Sequence, residues 1–321
     1  MNVFVAGASG AIGRPLVAEL VRRGHAVTGM TRSDAGATAL ANLGAAVARM
    51  SAFDAQGLEQ ALRESKAEVV IDELTALPKS AADMAATAEG DRRLRLEGGG
   101  NLLAAARRCG VRRFVQQASG FFLRPGPGLG DESEGLAVDA SPRVAASART
   151  YAELEARLLA AGDIEGVALR YGFYYGPRTW YHPNGASADL VRLGEVPVIG
   201  DGGGVWSWVH IDDAAATTAD ALTIPAGVYH VVDDDPSPVA VWLPAFARAV
   251  RAPPRERRRR ELTASLRAPR AAGCRASRAR ASAARRCSST CAPRPRGRPA
   301  CSPPRRAAPH ARPRPPRSRG R

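Results

Sequence analysis

The chain contains almost no lysine, and its first 250 residues contain a single cysteine, Cys109. One cysteine cannot form an internal disulfide, so this part of the chain is typical of a protein from a reducing compartment. No apolar run reaches the ~18 residues that a membrane-spanning helix requires. The first strand pattern begins at Asn2, which leaves no room for a signal peptide. We therefore expect a cytoplasmic protein with no membrane partner.

Residues 251–321 lack most of the residue types that build a folded core. They contain no Val, Ile, Met, Phe, Tyr or Trp and only two Leu, together with twelve Pro and 23 Arg. Their net charge is +21, whereas residues 1–250 carry a net charge of −6, so the excess basicity is confined to this tail. Such a segment cannot bury enough apolar surface to offset its loss of conformational entropy, and its composition predicts disorder.

The tail has three interpretations. A basic disordered arm would bind nucleic acid non-specifically, with a strong dependence on salt. Metal binding has little support, because the four tail cysteines are separated by intervals of 13, 4 and 10 residues, without CxxC pairs. The third interpretation, which we favour, is a shifted reading frame, since Arg, Ala, Pro, Gly, Ser and Cys all have codons rich in G and C. A nucleic-acid partner is therefore expected only if the tail is genuine.

The first 120 residues alternate short apolar runs with amphipathic helical patterns. This alternation predicts a doubly wound α/β fold, with a parallel sheet that is covered by helices on both faces. Loops rich in Gly, Pro and aromatic residues lie between two later strand patterns and suggest a small lobe at the carboxyl edge of the sheet. The predicted strands are residues 2–7, 25–31, 45–50, 68–72, 112–118, 167–173 and 227–233.

The segment GASGAIG, from Gly7 to Gly13, directly follows the first strand pattern and leads into a helix. Gly7 permits a tight turn, Gly10 lets the backbone approach a pyrophosphate, and Gly13 allows the helix to pack closely on the strand. The N–H groups and the partial positive charge of the helix N-terminus would then bind the phosphates. The context of strand, loop and helix predicts a Rossmann-type dinucleotide site. Its other predicted members are Ser9, Ala11 and Ile12.

The end of the second strand bears on the choice of cofactor. An acidic side chain there would accept hydrogen bonds from a ribose diol, but the sequence has Thr31, Arg32 and Ser33. Arg32 is able to pair with a 2′-phosphate and to stack on adenine. We therefore predict that the chain prefers NADP, with NAD as the other candidate.

Two later segments, LRYGFYYGP (169–177) and GDGGGVWSWVHIDDAA (200–215), complete a pattern that extends over about residues 1–250. With the glycine loop, it resembles the extended or atypical short-chain dehydrogenase/reductases, which include the NAD-dependent epimerase/dehydratase-like proteins. The resemblance implies a Rossmann domain at residues 1–170 and a small substrate lobe at 171–250, interleaved with the late Rossmann strands. Residues 251–321 form the tail. It also implies an enzyme that oxidises, reduces, epimerises or dehydrates alcohols and carbonyls through a bound nicotinamide.

The resemblance assigns roles to residues at the ends of two strands. Ser119 falls at the family's catalytic serine, which hydrogen-bonds the substrate oxygen; the alternative is that it only caps the end of the strand. Leu74, Thr75 and Ala76 fall in the loop that passes beside the nicotinamide ribose, after Asp72, where the family often has His.

The family's catalytic pair is Tyr-x-x-x-Lys on a helix, in which the lysine lowers the tyrosine pKa so that the phenol exchanges a proton with substrate. Here Tyr151 is followed four residues later by Glu155. A carboxylate would favour the protonated phenol, so Tyr151 is a candidate for a neutral proton donor in carbonyl reduction. The alternative is that Tyr151 serves in packing or in contact with the substrate. If Glu155 is instead the glutamate usually found further along that helix, the family's tyrosine position falls on Ser147 and its lysine position on Tyr151.

The predicted substrate lobe is rich in aromatic residues. In nucleotide-sugar epimerases an arginine grips the substrate diphosphate, and Trp206 stands at the matching position. Tryptophan cannot pair with a dianion but covers an apolar or aromatic face. With Tyr175 and Trp180 as further substrate candidates, the lobe favours a less charged substrate than a nucleotide-sugar. The segment around His210 resembles the family's structural turn into a helix, and no metal site is predicted.

We predict an NADP-preferring oxidoreductase that acts on a carbonyl or alcohol. The alternative is a non-catalytic NADP(H)-binding sensor or regulatory module, because the Tyr/Lys pair is missing. A homodimer is compatible with either function.

Overall fold

The computed structural model describes residues 1–126, 128–253 and 273–274. The strands are β1 (Asn2–Ala6), β2 (Ala26–Thr31), β3 (Ala46–Arg49), β4 (Val69–Asp72), β5 (Arg113–Ser119), β6 (Leu129–Gly130), β7 (Glu165–Tyr171), β8 (Phe173–Tyr175), β9 (Val205–Trp206), β10 (Trp208–His210), β11 (Gly227–Val231), β12 (Ser237–Pro238) and β13 (Gly273–Cys274). The α-helices are α1 (Gly13–Arg22), α2 (Asp34–Ala41), α3 (Ala55–Glu64), α4 (Met84–Arg93), α5 (Gly99–Arg108), α6 (Pro142–Leu159), α7 (Ala186–Arg192), α8 (Ile211–Asp220) and α9 (Val239–Ala249).

The main sheet has seven parallel strands in the order β11-β7-β5-β4-β1-β2-β3. Strands such as β4 (VVID) and β5 are buried along their whole length, because helices cover both faces of the sheet. One hydrophobic core lies on the face covered by α1 and α8, and a second lies on the face covered by α3 and α5. The predicted Rossmann-type sheet is confirmed.

The strand order changes direction at the centre of the sheet. The chain moves outward from β1 to β2 and β3, and then returns to place β4 on the other side of β1. The loops that leave β1 and β4 therefore diverge to opposite faces. In open α/β sheets a crevice forms at this switch point, outside the carboxyl ends of the strands. The glycine loop after β1 and the loop after β4 form its walls.

The later part of the chain adds small elements at the carboxyl edge. Strand β7 ends at Tyr171, two residues before the predicted end, and β8 begins at Phe173 to pair with β10. Strand β9 pairs with β12, and α7 packs against α9 around Ala188 and Leu243. Strand β11 then returns to the main sheet beside β7. The division into domains at residue 170 stays a prediction.

The predictions for the tail fall mostly outside the described residues, which include only 251–253 and 273–274 of it. Within the described part of the chain, no helix is both long and apolar enough to cross a membrane. The same residues contain no group of three or more His, Cys, Asp or Glu side chains placed to hold a metal ion.

Candidate active site

The glycine loop brings β1, β4 and α1 into close contact. Gly7 has a φ of +76°, and a Cβ atom at this position would collide with the backbone carbonyl of Glu73. A Cβ atom on Gly13 would collide with the backbone of Gly7 and Ala8. The N–H of Gly10 donates to the carbonyl of Gly7 over 2.9 Å and closes the turn. The loop thus exposes Gly10 at the cleft and directs the N-terminus of α1 toward it, an arrangement that fits a pyrophosphate.

A cleft opens beside this loop. The predicted cofactor residues that line it are Gly7, Ser9, Gly10, Thr31, Arg32, Leu74 and Thr75. Further lining residues, which the sequence did not single out, are Met30, Ser51, Ala52, Phe53, Glu73 and Leu94. The remaining predicted residues lie behind or beside the lining. Ile12 and Gly13 are buried, Ala11 is exposed, and Ala76 lies further along the loop after β4.

The hydroxyl groups at the end of β2 have structural partners. Thr31 Oγ1 lies 3.1 Å from Ser9 Oγ and joins the second strand to the glycine loop. Ser33 Oγ accepts from the N–H of Gly36 over 3.1 Å and caps α2. Arg32 is exposed at the mouth of the cleft. Arg32 therefore lines the cleft, whereas Ser33 serves as the cap of α2.

Phe53 is the largest apolar side chain among the lining residues that the sequence did not predict. It follows β3 and is 37% exposed, with the guanidinium of Arg93 4.6 Å from its ring centroid. Its ring offers a flat apolar face of the kind that an adenine ring packs on. The sheet topology is what could have predicted it, because β3 ends at the same edge of the sheet as β1 and β2.

Two buried carboxyl groups lie at the end of β4. Asp72 accepts from the N–H of Leu74 over 3.0 Å, and burial raises its pKa to about 6. Glu73 accepts from the hydroxyl of Tyr171 over 2.9 Å, and burial raises its pKa to about 8. The Tyr171 hydroxyl also lies 2.6 Å from that of Thr218 on α8. Burial therefore favours the protonated form of Glu73.

Ser119 ends β5 in the sheet, opposite Tyr171 of β7. Its side chain is buried, and its Oγ accepts from the N–H of Phe121 over 3.3 Å. The hydroxyl therefore caps a short 3₁₀ turn, Gly120–Phe122, at the carboxyl edge of the sheet. This position is compatible with both a strand-end cap and contact with a substrate oxygen.

Tyr151 lies on α6, with its ring 5.6 Å from that of Phe122. Burial raises the pKa of Tyr151, and the nearby Arg95 opposes the rise. Glu155, which the sequence suggested as a cause of such a rise, is not among its causes in the structure. Glu155 turns away and forms two hydrogen bonds of 2.8 Å with the guanidinium of Arg170. This buried pair gives Glu155 a structural role.

Trp206 belongs to a stack of three aromatic rings. Its ring lies 3.9 Å from that of Phe173, which in turn lies 4.0 Å from that of Phe121, with interplanar angles of 15° and 16°. Phe121 is 38% exposed at the end of this stack. Tyr181, Trp208 and Trp242 surround Trp206 at centroid distances of 6.2, 5.6 and 4.9 Å.

The other two predicted substrate residues lie near this cluster. Trp180 donates from Nε1 to the carbonyl of Pro78 over 3.1 Å, which ties it to the loop after β4. Tyr175 packs edge-on against His210 at 5.1 Å and hydrogen-bonds Asp233, whose pKa burial raises to about 6. His210 Nδ1 accepts from the N–H of Asp212 and caps α8, so the histidine provides the cap at this turn.

Comparisons with known proteins identify the family. The sequence profile of the NAD dependent epimerase/dehydratase family matches residues 3–231. A Streptomyces protein, 3-diazoavenalumate denitrifying reductase, is 43% identical over 257 residues, which cover 79% of this chain and 83% of the relative. The Thermus thermophilus UDP-glucose 4-epimerase, solved with NAD, is 28% identical with a TM-score of 0.65, covering 79% of this chain and 85% of that one. The Thermotoga maritima UDP-glucose 4-epimerase is similar in fold, at 20% identity and a TM-score of 0.71 over 87% and 91% of the two chains. The resemblance inferred from the motifs is confirmed, and the chain belongs to the NAD dependent epimerase/dehydratase family.

Proposed function

We propose that the chain is an NAD(P)H-dependent reductase that replaces the diazo group of an aromatic compound with hydrogen. The observation that carries this proposal is the 43% identity with a Streptomyces reductase whose name specifies denitrification of a diazo compound. The stack of Phe121, Phe173 and Trp206 supports an aromatic substrate, because planar rings pack well on such a face. The same stack supports the earlier interpretation that the substrate is not a nucleotide-sugar.

The reaction consumes one hydride and one proton. A neutral diazo compound takes up a proton and becomes a diazonium cation. The bound cofactor supplies the hydride. A new C–H bond forms as the C–N bond breaks, and dinitrogen leaves with the bonding electron pair. Carbonyl reduction has the same demand for one hydride and one proton, so the residues expected for a carbonyl substrate also suit a diazo substrate.

In this proposal, Tyr151 donates the proton and Ser119 orients an oxygen or nitrogen atom of the acceptor. Burial keeps the Tyr151 phenol in its neutral form, which is the form that a proton donor needs. The role of Ser119 is supported by its position. It lies at the carboxyl end of β5, next to the stack that begins at Phe121.

The preference for NADP rests on the end of β2. Arg32 is exposed at the cleft, and no carboxylate stands among residues 31–33 to accept hydrogen bonds from a ribose diol. A 2′-phosphate would give Arg32 a charged partner. Fluorescence titration with NADPH and NADH tests this preference, and equal affinities that Arg32→Ala leaves unchanged would remove it.

The activity test uses para-quinone diazide as acceptor with NADPH deuterated at the nicotinamide C4. Turnover is expected to give phenol, dinitrogen and NADP in a one-to-one-to-one ratio, with the deuterium on the ring carbon that carried the diazo group. A reaction without protein measures the uncatalysed background. Turnover of aromatic aldehydes or ketones without turnover of the diazide would overturn the diazo assignment in favour of a carbonyl substrate. Tight NADPH binding without turnover of any acceptor would favour the sensor.

A further inference from the structure

Helix α6 has no lysine to accompany Tyr151, yet a cation lies against this tyrosine. The guanidinium carbon of Arg95 is 5.0 Å from the centroid of the Tyr151 ring. Arg95 is 5% exposed and belongs to a five-residue π-helical segment, Leu94–Gly98, between α4 and α5. Such segments interrupt regular helices and are frequent at functional sites. The positive charge therefore reaches the tyrosine from a neighbouring helix.

Arg95 joins three parts of the site. Its Nε donates to Asp91 Oδ2 over 2.7 Å, and its Nη1 donates to Gln117 Oε1 on β5 over 3.0 Å. Asp91 Oδ1 accepts from the N–H of Ala76 over 2.6 Å. Ala76 follows Leu74 and Thr75, which line the cofactor cleft. One buried side chain thus connects Tyr151, the end of β5 and the cofactor loop.

The charges around Arg95 keep it ionised. Burial lowers the pKa of Arg95, but Tyr151, Asp91 and Asp72 outweigh burial and raise it overall. Among the described residues, the ionisable groups that face Tyr151 are Arg95, Asp91 and Tyr174. Of these, Arg95 is the one that favours the phenolate, and Asp91 opposes it. Removal of the Arg95 charge would leave a buried phenol beside a carboxylate.

We propose that Arg95 is a positioning residue that substitutes in space for the missing lysine. It holds the Tyr151 ring against the acceptor site and stabilises the phenolate that remains after Tyr151 donates its proton. Its planar guanidinium contacts the ring, Asp91 and Gln117 together, in a fixed geometry that a flexible lysine ammonium does not have. The catalytic part of this inference rests on the proposed reductase function, and the effect of Arg95 on Tyr151 ionisation does not.

The first experiment is a double-mutant cycle on the full chain with the diazide and NADPH. Arg95→Met and Tyr151→Phe are each expected to lower kcat by about 100-fold, with the Kd for NADPH changed by less than about threefold. Because Arg95 acts through Tyr151, the double variant is expected to be no slower than the slower single variant, within about threefold. Arg95→Lys should retain more kcat than Arg95→Met. Arg107→Met, at an exposed site on α5 paired with Asp163, is the matched control and should match the unmodified chain.

Arg95→Gln covers the case in which Arg95→Met fails to fold, because glutamine still donates to Asp91 but carries no charge. If the fold-losses in kcat of the two single variants multiply in the double variant, the proposal is overturned. A kcat for Arg95→Met or Arg95→Gln within about threefold of the unmodified chain would also overturn it.

The second experiment needs no acceptor. Carbon-13 NMR of tyrosines labelled at Cζ follows their ionisation in alkaline solution, and Tyr151→Phe assigns the Tyr151 signal. Arg95→Met or Arg95→Gln is expected to shift ionisation of Tyr151 upward by at least about one pH unit. No shift would overturn the electrostatic role even if the diazide is reduced. A shift without turnover of any acceptor would reject the proposed function and leave the effect of Arg95 on Tyr151 in place.

Discussion

The buried pair of Glu155 and Arg170 gives the sharpest stability prediction. Their side chains are 9% and 6% exposed and are joined by two hydrogen bonds of 2.8 Å. Glu155→Leu would leave the guanidinium with its bonds from Nη1 to the carbonyls of Glu134 and Glu132, at 3.0 and 3.3 Å. Removing one partner of a buried pair costs about 3–5 kcal/mol, because the other charge stays buried without compensation. We expect Glu155→Leu to lower the free energy of unfolding by this amount.

Urea unfolding of the full chain measures the effect, with a corresponding fall in Tm of roughly 10 °C. Asp163→Asn is the matched control, because the Arg107–Asp163 pair is 47% and 52% exposed. Such a pair is worth less than about 1 kcal/mol. The double variant Glu155→Leu with Arg170→Met should recover part of the loss, since apolar residues tolerate burial. A loss for Glu155→Leu no larger than that of the control would refute the structural role given to Glu155.

Three further predictions concern the cofactor cleft. Gly7→Ala places a Cβ against the Glu73 carbonyl at a φ of +76°. It should cost about 1–3 kcal/mol of stability and weaken NADPH binding in a fluorescence titration; binding and stability equal to the unmodified chain would contradict this. Arg32→Ala should raise the Kd for NADPH by about tenfold and leave that for NADH unchanged; equal changes for both would contradict the phosphate contact. Glu73 holds its proton in the folded chain up to a pH of about 8, whereas its ordinary pKa is 4.5. Stability should therefore fall between these pH values, by up to about 5 kcal/mol, and Glu73→Gln should flatten this dependence in urea unfolding; an unchanged pH profile would contradict it.

The sheet was predictable because its determinants are local. In a parallel sheet covered on both faces, each strand is a short continuous apolar run, as in VVID of β4, and the connecting helices show the helical period. The glycine loop was predictable for the same reason, since Gly7, Gly10 and Gly13 act on a turn within one strand–helix unit. The predicted strand ended at Phe173, whereas β7 ends two residues earlier, at Tyr171. The apolar pattern continues through Phe173, but from that residue the chain pairs with β10 instead.

The walls of the cleft were less predictable because they combine residues from distant strands. Phe53 follows β3 and gives no local sign of lining a site. Glu73 would be expected in solvent from its residue type, yet it is buried against Tyr171 and Thr218. The surroundings of both residues depend on the order of the strands in the sheet. A pattern of residue types along the sequence does not specify which side chains the sheet brings together.

The missing lysine illustrates the same limit for chemistry. The Tyr-x-x-x-Lys rule describes one way of placing a cation beside a phenol, with both groups on one face of a helix. The electrostatic effect depends on the distance between the cation and the phenol and not on their spacing in the sequence. A cation on any element that reaches the tyrosine ring can therefore supply it. Arg95 lies 56 residues before Tyr151 in the sequence and reaches its ring from a π-helical segment. The absence of the motif from α6 therefore does not show that the site lacks the charge, and a decision between enzyme and sensor has to rest on the geometry around Tyr151.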